Sequence, residues 1–291
     1  MSVFVATTLE SALNALSERP DAAVLAGGTD LMVEFNSGHA TDRGVAAVVC
    51  VNRVAELCSW SHDPVAGTLR IGAGVRWSEI QQDPMSRWVP ALSQAARTVG
   101  SPQIRHAGTI GGNVGTSSPA GDGLPVLSAL DATVHLVSVD GARSMPFAEF
   151  MLGPKRTARR PNELIEAVTV PVLRGWQGYA KVGVRNAMVI ATASVALAVD
   201  VDGRNVRMAL GSVGPVILRC PELESLVAAE ADFERGALSS AVVEQCRSLA
   251  AAAARPITDH RSTADYRRHA VSVLAGRMLR RAFPMTDENL A

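Results

Sequence analysis

Apolar positions along the chain fall into helical stripes and short strand-like runs. Leu9, Ala12, Leu13 and Leu16 share one stripe, and Thr7 with Glu10 has capping-box spacing, so the N-terminal part predicts a helix. AAVLAGG (22–28) predicts a strand that runs into a Gly turn. GVAAVVCV (44–51) predicts a buried strand, and TLRIGAGV (68–75) another that leads into a helix near Ser78. A further helix is predicted near Val89–Val99, ended by Gly100 and Pro102. ATVHLVSV (132–139) alternates like a strand, and Asp140–Gly141 is a hairpin turn signal. Arg174–Gly175 marks a domain boundary. Beyond it, the strand-like runs VIATASVALAVD and VRMALGSV flank Asp202–Gly203, and two helices are expected. The last carries Ala270, Val271, Leu274, Met278 and Phe283 on one face, with Ser262 and Asp265 as its start signal. The pattern is α/β or α+β, with no solenoid repeat.

One stretch breaks this order. RHAGTIGGNVGTSSPAGDGLP (105–125) holds six Gly and two Pro among small hydroxyl residues, which excludes a plain helix. Around 153–162 the chain turns basic and Pro-bounded (GPKRTARRPN), which predicts an exposed loop.

Composition narrows the function classes. The 291 residues are 47% hydrophobic and 19% charged, enough for a substantial core. Twenty-eight basic and twenty-eight acidic side chains cancel, so no field draws in nucleic acid or an anionic membrane. Only Lys155 and Lys181 among the basic residues are Lys, which singles both out. The nearly apolar run Met188–Val199 is too short to span a bilayer. MSVFVATTLESALNAL carries no basic residue before Arg19, so no secretory leader is expected. Cys50, Cys58, Cys220 and Cys246 form no CxxC pair, and the His residues are dispersed. The reading is a cytoplasmic protein without a metal or iron–sulfur ligand set of its own.

The usual nucleotide signatures are missing. Gly72–Ala73–Gly74 follows a strand, but Trp77 stands where a dinucleotide fingerprint needs its third Gly. There is no Gly–Lys pair for a Walker loop and no GxSxG. Two Gly-rich turns remain. In Ala26-Gly27-Gly28-Thr29-Asp30-Leu31, small residues after a strand let successive N–H groups form an anion-binding nest; a simple tight turn is the alternative. In Thr109-Ile110-Gly111-Gly112-Asn113, continued through Gly115, Thr116, Ser117, Ser118, Pro119 and Asp122, neutral donors and acceptors suit sugar and phosphate groups. The alternative is an irregular surface loop. Two such turns in one chain favour one dinucleotide bridging them. Arg156, Arg159 and Arg160 read as a solvated loop or as a docking site for an acidic partner or an NAD phosphate.

These segments resemble the FAD-binding medium subunit of the molybdenum hydroxylases, the xanthine dehydrogenase and carbon monoxide dehydrogenase group. LAGGTDLMV, RHAGTIGGNVGTSSPAGDGLPVLSALDA, PNELIEAVTVP, YAKVGVRNAMVIATASVALAVD and DHRSTADYRRHAVSVLAGRMLRRAF carry the likeness over nearly the whole chain. KVGVRNAMVIA is most similar to the bacterial xanthine dehydrogenase branch, whereas carbon monoxide dehydrogenase relatives usually carry a more acidic TIGGN-to-Pro stretch. Some relatives bear an extra iron–sulfur cluster on this subunit; the absence of Cys between 59 and 219 sets this chain apart from them. The resemblance implies an α+β fold. A two-part FAD domain of the vanillyl-alcohol-oxidase/PCMH type would span 1–175, with sub-parts about 1–57 and 58–175. A C-terminal domain like that of the CO dehydrogenase flavoprotein, a small sheet with helices, would span 176–291.

It also implies site residues. Ala26, Gly27, Gly28, Thr29, Asp30 and Leu31 would hold the FAD pyrophosphate. Thr109, Gly112, Asn113, Thr116, Ser118 and Asp122 would hold the rest, Leu164 would pack near the flavin, and Lys181 would contact the cofactor. A fixed cation there would stabilise reduced flavin. No catalytic side chain is assigned. A large partner subunit would carry the molybdenum cofactor and a small one the 2Fe-2S clusters, in a dimer of heterotrimers, with electrons leaving from FAD to NAD or another acceptor. The alternatives are the medium subunit of an aldehyde, CO or N-heterocycle dehydrogenase, a stand-alone flavin oxidoreductase, and a non-catalytic assembly subunit.

Overall fold

The computed structural model describes residues 2–38 and 44–284. The chain forms two compact units that are interleaved in sequence. One comprises the residues up to Ile80, with Ser101–Ser118 and Asp131–Pro171; the other comprises Gln81–Gly100, Pro119–Leu130 and the residues from Val172 on.

The first unit holds two main sheets. β1 (Ser2–Val5), β2 (Ala23–Leu25) and β3 (Ala47–Cys50) form a parallel sheet in the order β1-β3-β2. Only β3, at its centre, is buried throughout. β1 was not legible as a strand, because its four residues are exposed and carry no alternation of burial. The helix Leu9–Glu18 buries Ala12, Leu13 and Leu16. Its N-cap is Thr8, one residue later than the expected Thr7: Thr8 Oγ1 accepts from the Ser11 N–H at 3.1 Å, and Ser11 Oγ accepts from the Thr8 N–H at 3.2 Å. The second sheet contains β4 (Trp60–Asp63), β5 (Thr68–Gly72), β6 (Thr133–Ser138) and β7 (Gly141–Pro146). After the small pair β8 (Met151–Gly153) and β9 (Arg156–Thr157), β10 (Leu164–Pro171) enters it between β5 and β6, giving the antiparallel order β4-β5-β10-β6-β7. Leu164, at the start of β10, packs into the apolar cluster of Leu13, Leu16, Val49 and Leu57 and so joins the two sheets.

The Gly-rich stretch is not one plain helix, as expected, but it is not an irregular loop throughout either. It makes short helices over Pro102–Ala107, Ile110–Thr116 and Gly123–Ala129. Close packing overrides propensity here: a Cβ on Gly111 would stand 2.4 Å from the Ala73 Cβ.

The second unit is built on the antiparallel sheet β11 (Gln177–Val182), β12 (Ala193–Asp200), β13 (Asn205–Gly211) and β14 (Leu218–Arg219), in that order. All of β12 but its last residue is buried, because helices pack against both β12 and β13 from two parts of the chain. Gly123–Ala129 contacts β12 and β13, and Pro90–Thr98 contacts β11. Pro221–Glu230, Ser240–Ala253 and Ala264–Ala282 supply the remaining cover. Among the described residues, three helices stand after the sheet where two were expected. The helix Ala264–Ala282 is capped by Thr263, whose Oγ1 accepts from the Tyr266 N–H, and not by Ser262. No helix among the described residues is long and apolar enough to cross a membrane, and none of their His, Cys, Asp and Glu side chains form a cluster suited to a metal.

Candidate functional site

A cavity of about 360 Å³ opens within the first unit. One wall is the turn after β2, with Ala26, Gly27, Gly28, Asp30 and Leu31. A second is the helix Ile110–Thr116 and its approach, with His106, Thr109, Gly111, Gly112, Gly115 and Thr116. Asn52, Cys58, Ala73, Gly74 and Arg76 line a third side, and Arg159, Leu164 and Ile165 a fourth.

The two Gly turns meet at their backbones. A Cβ on Gly27 would lie 2.0 Å from the Ala107 carbonyl oxygen, so no larger residue fits there. Gly28 follows with φ +72°, the left-handed region that glycine enters without steric cost. The turn leaves its donors open. Among the described residues, no backbone N–H from Gly27 to Leu31 donates to another group of the chain. Five successive free donors beside a cavity form a nest suited to an anion.

The second turn differs. Its first helical donors are already engaged: Ile110 N–H donates to Val75 O at 3.0 Å, Gly111 N–H to Ala73 O at 2.9 Å, and Gly112 N–H to Thr109 Oγ1 at 3.0 Å. What it offers the cavity is bare glycine backbone and the Thr116 hydroxyl, which stands 3.5 Å from Asp30 Oδ2. Asn113 lies on the same helix, and its Oδ1 is buried without a hydrogen-bond partner. Thr29 does not line the cavity; its hydroxyl lies near Gly108, where the two turns meet. Ser118 sits half-buried past the helix and does not line the cavity either.

Asp122 and Lys181 are both in the second unit and are bound to each other. Lys181 Nζ donates to Asp122 Oδ2 at 2.9 Å, to Thr98 O at 2.9 Å and to Val189 O at 3.0 Å, which engages all three of its hydrogens. Tyr179 donates its hydroxyl to Asp122 Oδ1 at 2.7 Å. Burial pushes the Asp122 carboxyl up from its ordinary range, against the pull of Lys181 and then Tyr179. The Tyr179 hydroxyl is pushed up by burial and by the neighbouring carboxylate.

Nine of the expected residues therefore line one cavity: Ala26, Gly27, Gly28, Asp30, Leu31, Thr109, Gly112, Thr116 and Leu164. Sequence reasoning missed Ala73 and Gly74, although two Gly after a strand do signal close backbone approach. Gly74 has Cys58 Sγ 2.9 Å from where its Cβ would be. It also missed Arg159 as a cavity residue, because a basic run between Pro residues reads as solvated.

Residues 1–173 match the family described as the FAD binding domain in molybdopterin dehydrogenase. The chain belongs to this family. Residues 179–282 match the CO dehydrogenase flavoprotein C-terminal domain, so the expected order of an α+β FAD domain and a small-sheet-plus-helices domain holds. The chain is 33% identical, over 92% of its length and 93% of the relative's, to the glyceraldehyde dehydrogenase medium chain of Sulfolobus acidocaldarius. It is 28% identical, over 95% of its length and 94% of the relative's, to the xanthine dehydrogenase FAD-binding subunit of Escherichia coli O157:H7. Reconstituted CO dehydrogenase from Oligotropha carboxidovorans has the same fold, with a TM-score of 0.87 at 24% identity and 98% of both chains covered. The FAD-binding domain of the family is thus on this chain. The observed site suits such a ligand: a free nest for a diphosphate, glycines that admit close approach, and apolar walls at Leu164 and Ile165 for a planar ring.

Proposed function

We propose that this chain is the FAD-carrying electron-transfer subunit of a multisubunit molybdenum hydroxylase, and that FAD binds in the cavity of the first unit. The observation that carries the reading is the run of free N–H groups from Gly27 to Leu31 at a cavity also lined by the glycine backbone of the helix Ile110–Thr116. Bound there, FAD supplies the exchange between one-electron and two-electron carriers. The chain's own residues bind and orient it. The nest takes the diphosphate. Thr109 caps its helix and so fixes Gly112 and Thr116 against the cavity. Leu164, anchored in the core, presents a rigid apolar surface.

The proposal extends to the assembly. A large partner would hold the molybdenum cofactor and a small partner the 2Fe-2S clusters, as a dimer of heterotrimers in the cytoplasm, with NAD or another acceptor taking the electrons. Asp122, Lys181, Thr29, Asn113 and Ser118 are further candidates for the cofactor. A xanthine-like substrate is supported by the KVGVRNAMVIA segment. An aldehyde is the second reading, supported by the 33% identity to the glyceraldehyde dehydrogenase medium chain.

Cys58 provides a test that needs no turnover. It is exposed and lines the cavity, whereas Cys50, Cys220 and Cys246 are buried. In the native apo-chain a thiol reagent should titrate Cys58 alone, and FAD should protect it. Cys58 labelling that FAD does not slow, in a chain that retains FAD, would place the cofactor elsewhere. Xanthine and aldehydes offered to the co-purified complex with an artificial acceptor separate the two substrate readings.

A further inference from the structure

The basic loop 153–162 does not behave as one solvated patch. Arg156 and Arg160 are exposed, but Arg159 is half-buried and lines the cavity. Its Nη1 donates to the carbonyl oxygens of Arg160 and Pro161, both at 3.2 Å, and of Glu163 at 2.6 Å. That fork locks the guanidinium in place. Among the described residues, its Nε and Nη2 donate to nothing in the chain.

Among the described residues, the charge of Arg159 is also without an ion-pair partner of its own. The carboxylate whose charge acts on it, Glu163, is held in a bidentate pair by Arg143, at 2.6 and 2.9 Å, and accepts from the Arg160 N–H at 2.6 Å. Arg143 holds the Glu163 carboxyl below the usual carboxylate range, and burial pulls the Arg159 guanidinium down. An arginine does not shed its proton under such pressure, so the cavity carries a fixed, partly desolvated cation. Among the described residues, the one carboxylate lining the cavity, Asp30, is engaged with Lys155 at 3.6 Å. The same Lys155 reaches Glu34, which ties the loop that bears Arg159 to the helix Leu31–Asn36 just beyond the nest.

We propose that Arg159 is the counter-cation of the FAD diphosphate in this cavity, donating through Nε and Nη2. The proposal rests on the reading that FAD binds here. Oxidised FAD carries its charge at neutral pH on the diphosphate alone, so an uncompensated guanidinium in its cavity is matched by that group. The Gly27–Leu31 nest supplies neutral donors, and Arg159 supplies the charge they lack.

The test is titration of the full-length apo-chain with FAD, ADP and riboflavin, comparing wild type with Arg159→Gln and Arg159→Lys. Arg159→Gln should weaken FAD and ADP by about ten- to a hundred-fold, the worth of one charge-assisted hydrogen bond. It should leave riboflavin within about two-fold and flatten the salt dependence of FAD binding. Arg159→Lys keeps the charge and should recover part of the affinity, which separates the charge from a folding defect. Unchanged FAD affinity in Arg159→Gln would overturn the proposal. So would an equal loss for FAD and riboflavin, which would put the guanidinium at the ring or make its role structural. A wild-type chain that binds no FAD would remove the functional reading itself.

Discussion

Single residues show how differently identical side chains are constrained. Gly27 is required by its neighbour, since the Ala107 carbonyl occupies the space of a Cβ at 2.0 Å. Gly28 is required by its own φ of +72°. Gly115 is bound by neither: its Cβ would meet Ile165 Cδ1 at 3.4 Å, an ordinary contact. Gly27→Ala should therefore abolish FAD retention while Gly115→Ala keeps the fold, a contrast read by flavin content and melting temperature. The AGGTD and TIGGN segments were legible because glycine pairs after apolar elements have few other uses. The pairing of Lys181 with Asp122 was not, since residues 59 positions apart leave no mark of contact in one sequence. Lys181→Met should cost about 3–5 kcal/mol, because it strands a buried carboxylate. Asp122 then binds its proton more tightly folded than unfolded, so the loss should be largest at high pH and shrink as pH falls through the raised folded pKa. Melting curves against pH check this. A wild-type FAD affinity in the same variant would remove Lys181 from the cofactor site.

At the scale of elements, periodicity located the first and last helices, the helix Pro90–Thr98 and the buried strands, but not the caps. Both the first and the last helix start one residue beyond the expected position, at Thr8 and Thr263. In each case two hydroxyl or acidic candidates stand side by side, and backbone geometry chooses between them. The helix Ile110–Thr116 was hidden by its glycines, whose use is contact and not propensity. The helix Ala264–Ala282 is moored by Arg267, which is buried and donates through Nη1 to Thr192 O at 2.9 Å and Ser212 O at 2.8 Å. Its Nη2 donates to Asp259 Oδ1 at 2.7 Å. The Arg261 N–H, with Arg267 and the Ser262 N–H, holds the Asp259 carboxyl down at about 2 against an ordinary 3.8. A lowered acid stabilises above its unfolded pKa and loses that contribution as pH falls. The wild type should lose stability between about pH 4 and pH 2 in a step that Asp259→Asn lacks, as measured by circular dichroism during acid titration.

For the whole molecule, composition excluded nucleic acid and membrane as partners of first resort, and the family match supplies the class of function. What no periodicity could reveal is the interleaving of the two units: Pro90–Thr98 reads as an ordinary local helix, and Gly123–Ala129 begins inside the Gly-rich stretch and does not read as a helix at all. On the function proposed above, electron transfer belongs to the assembly. Expressed with a large and a small partner, the chain should co-purify with molybdenum and iron; alone, it should show flavin but no hydroxylase turnover. Recovery of a hydroxylating single chain would favour the stand-alone flavoprotein.

The interleaving also sets an order of events during synthesis. Pro90–Thr98 and Gly123–Ala129 leave the ribosome well before β11 to β13, the strands that cover them, have been made. At about 5–20 residues per second the interval is on the order of ten seconds. During it, Leu92, Leu124, Val126 and Leu127, all fully buried in the finished fold, face solvent or a chaperone. A chain cut after residue 173, where the FAD-binding family match ends, never leaves that state. It should bind hydrophobic dyes and aggregate, although it contains every residue that lines the cavity.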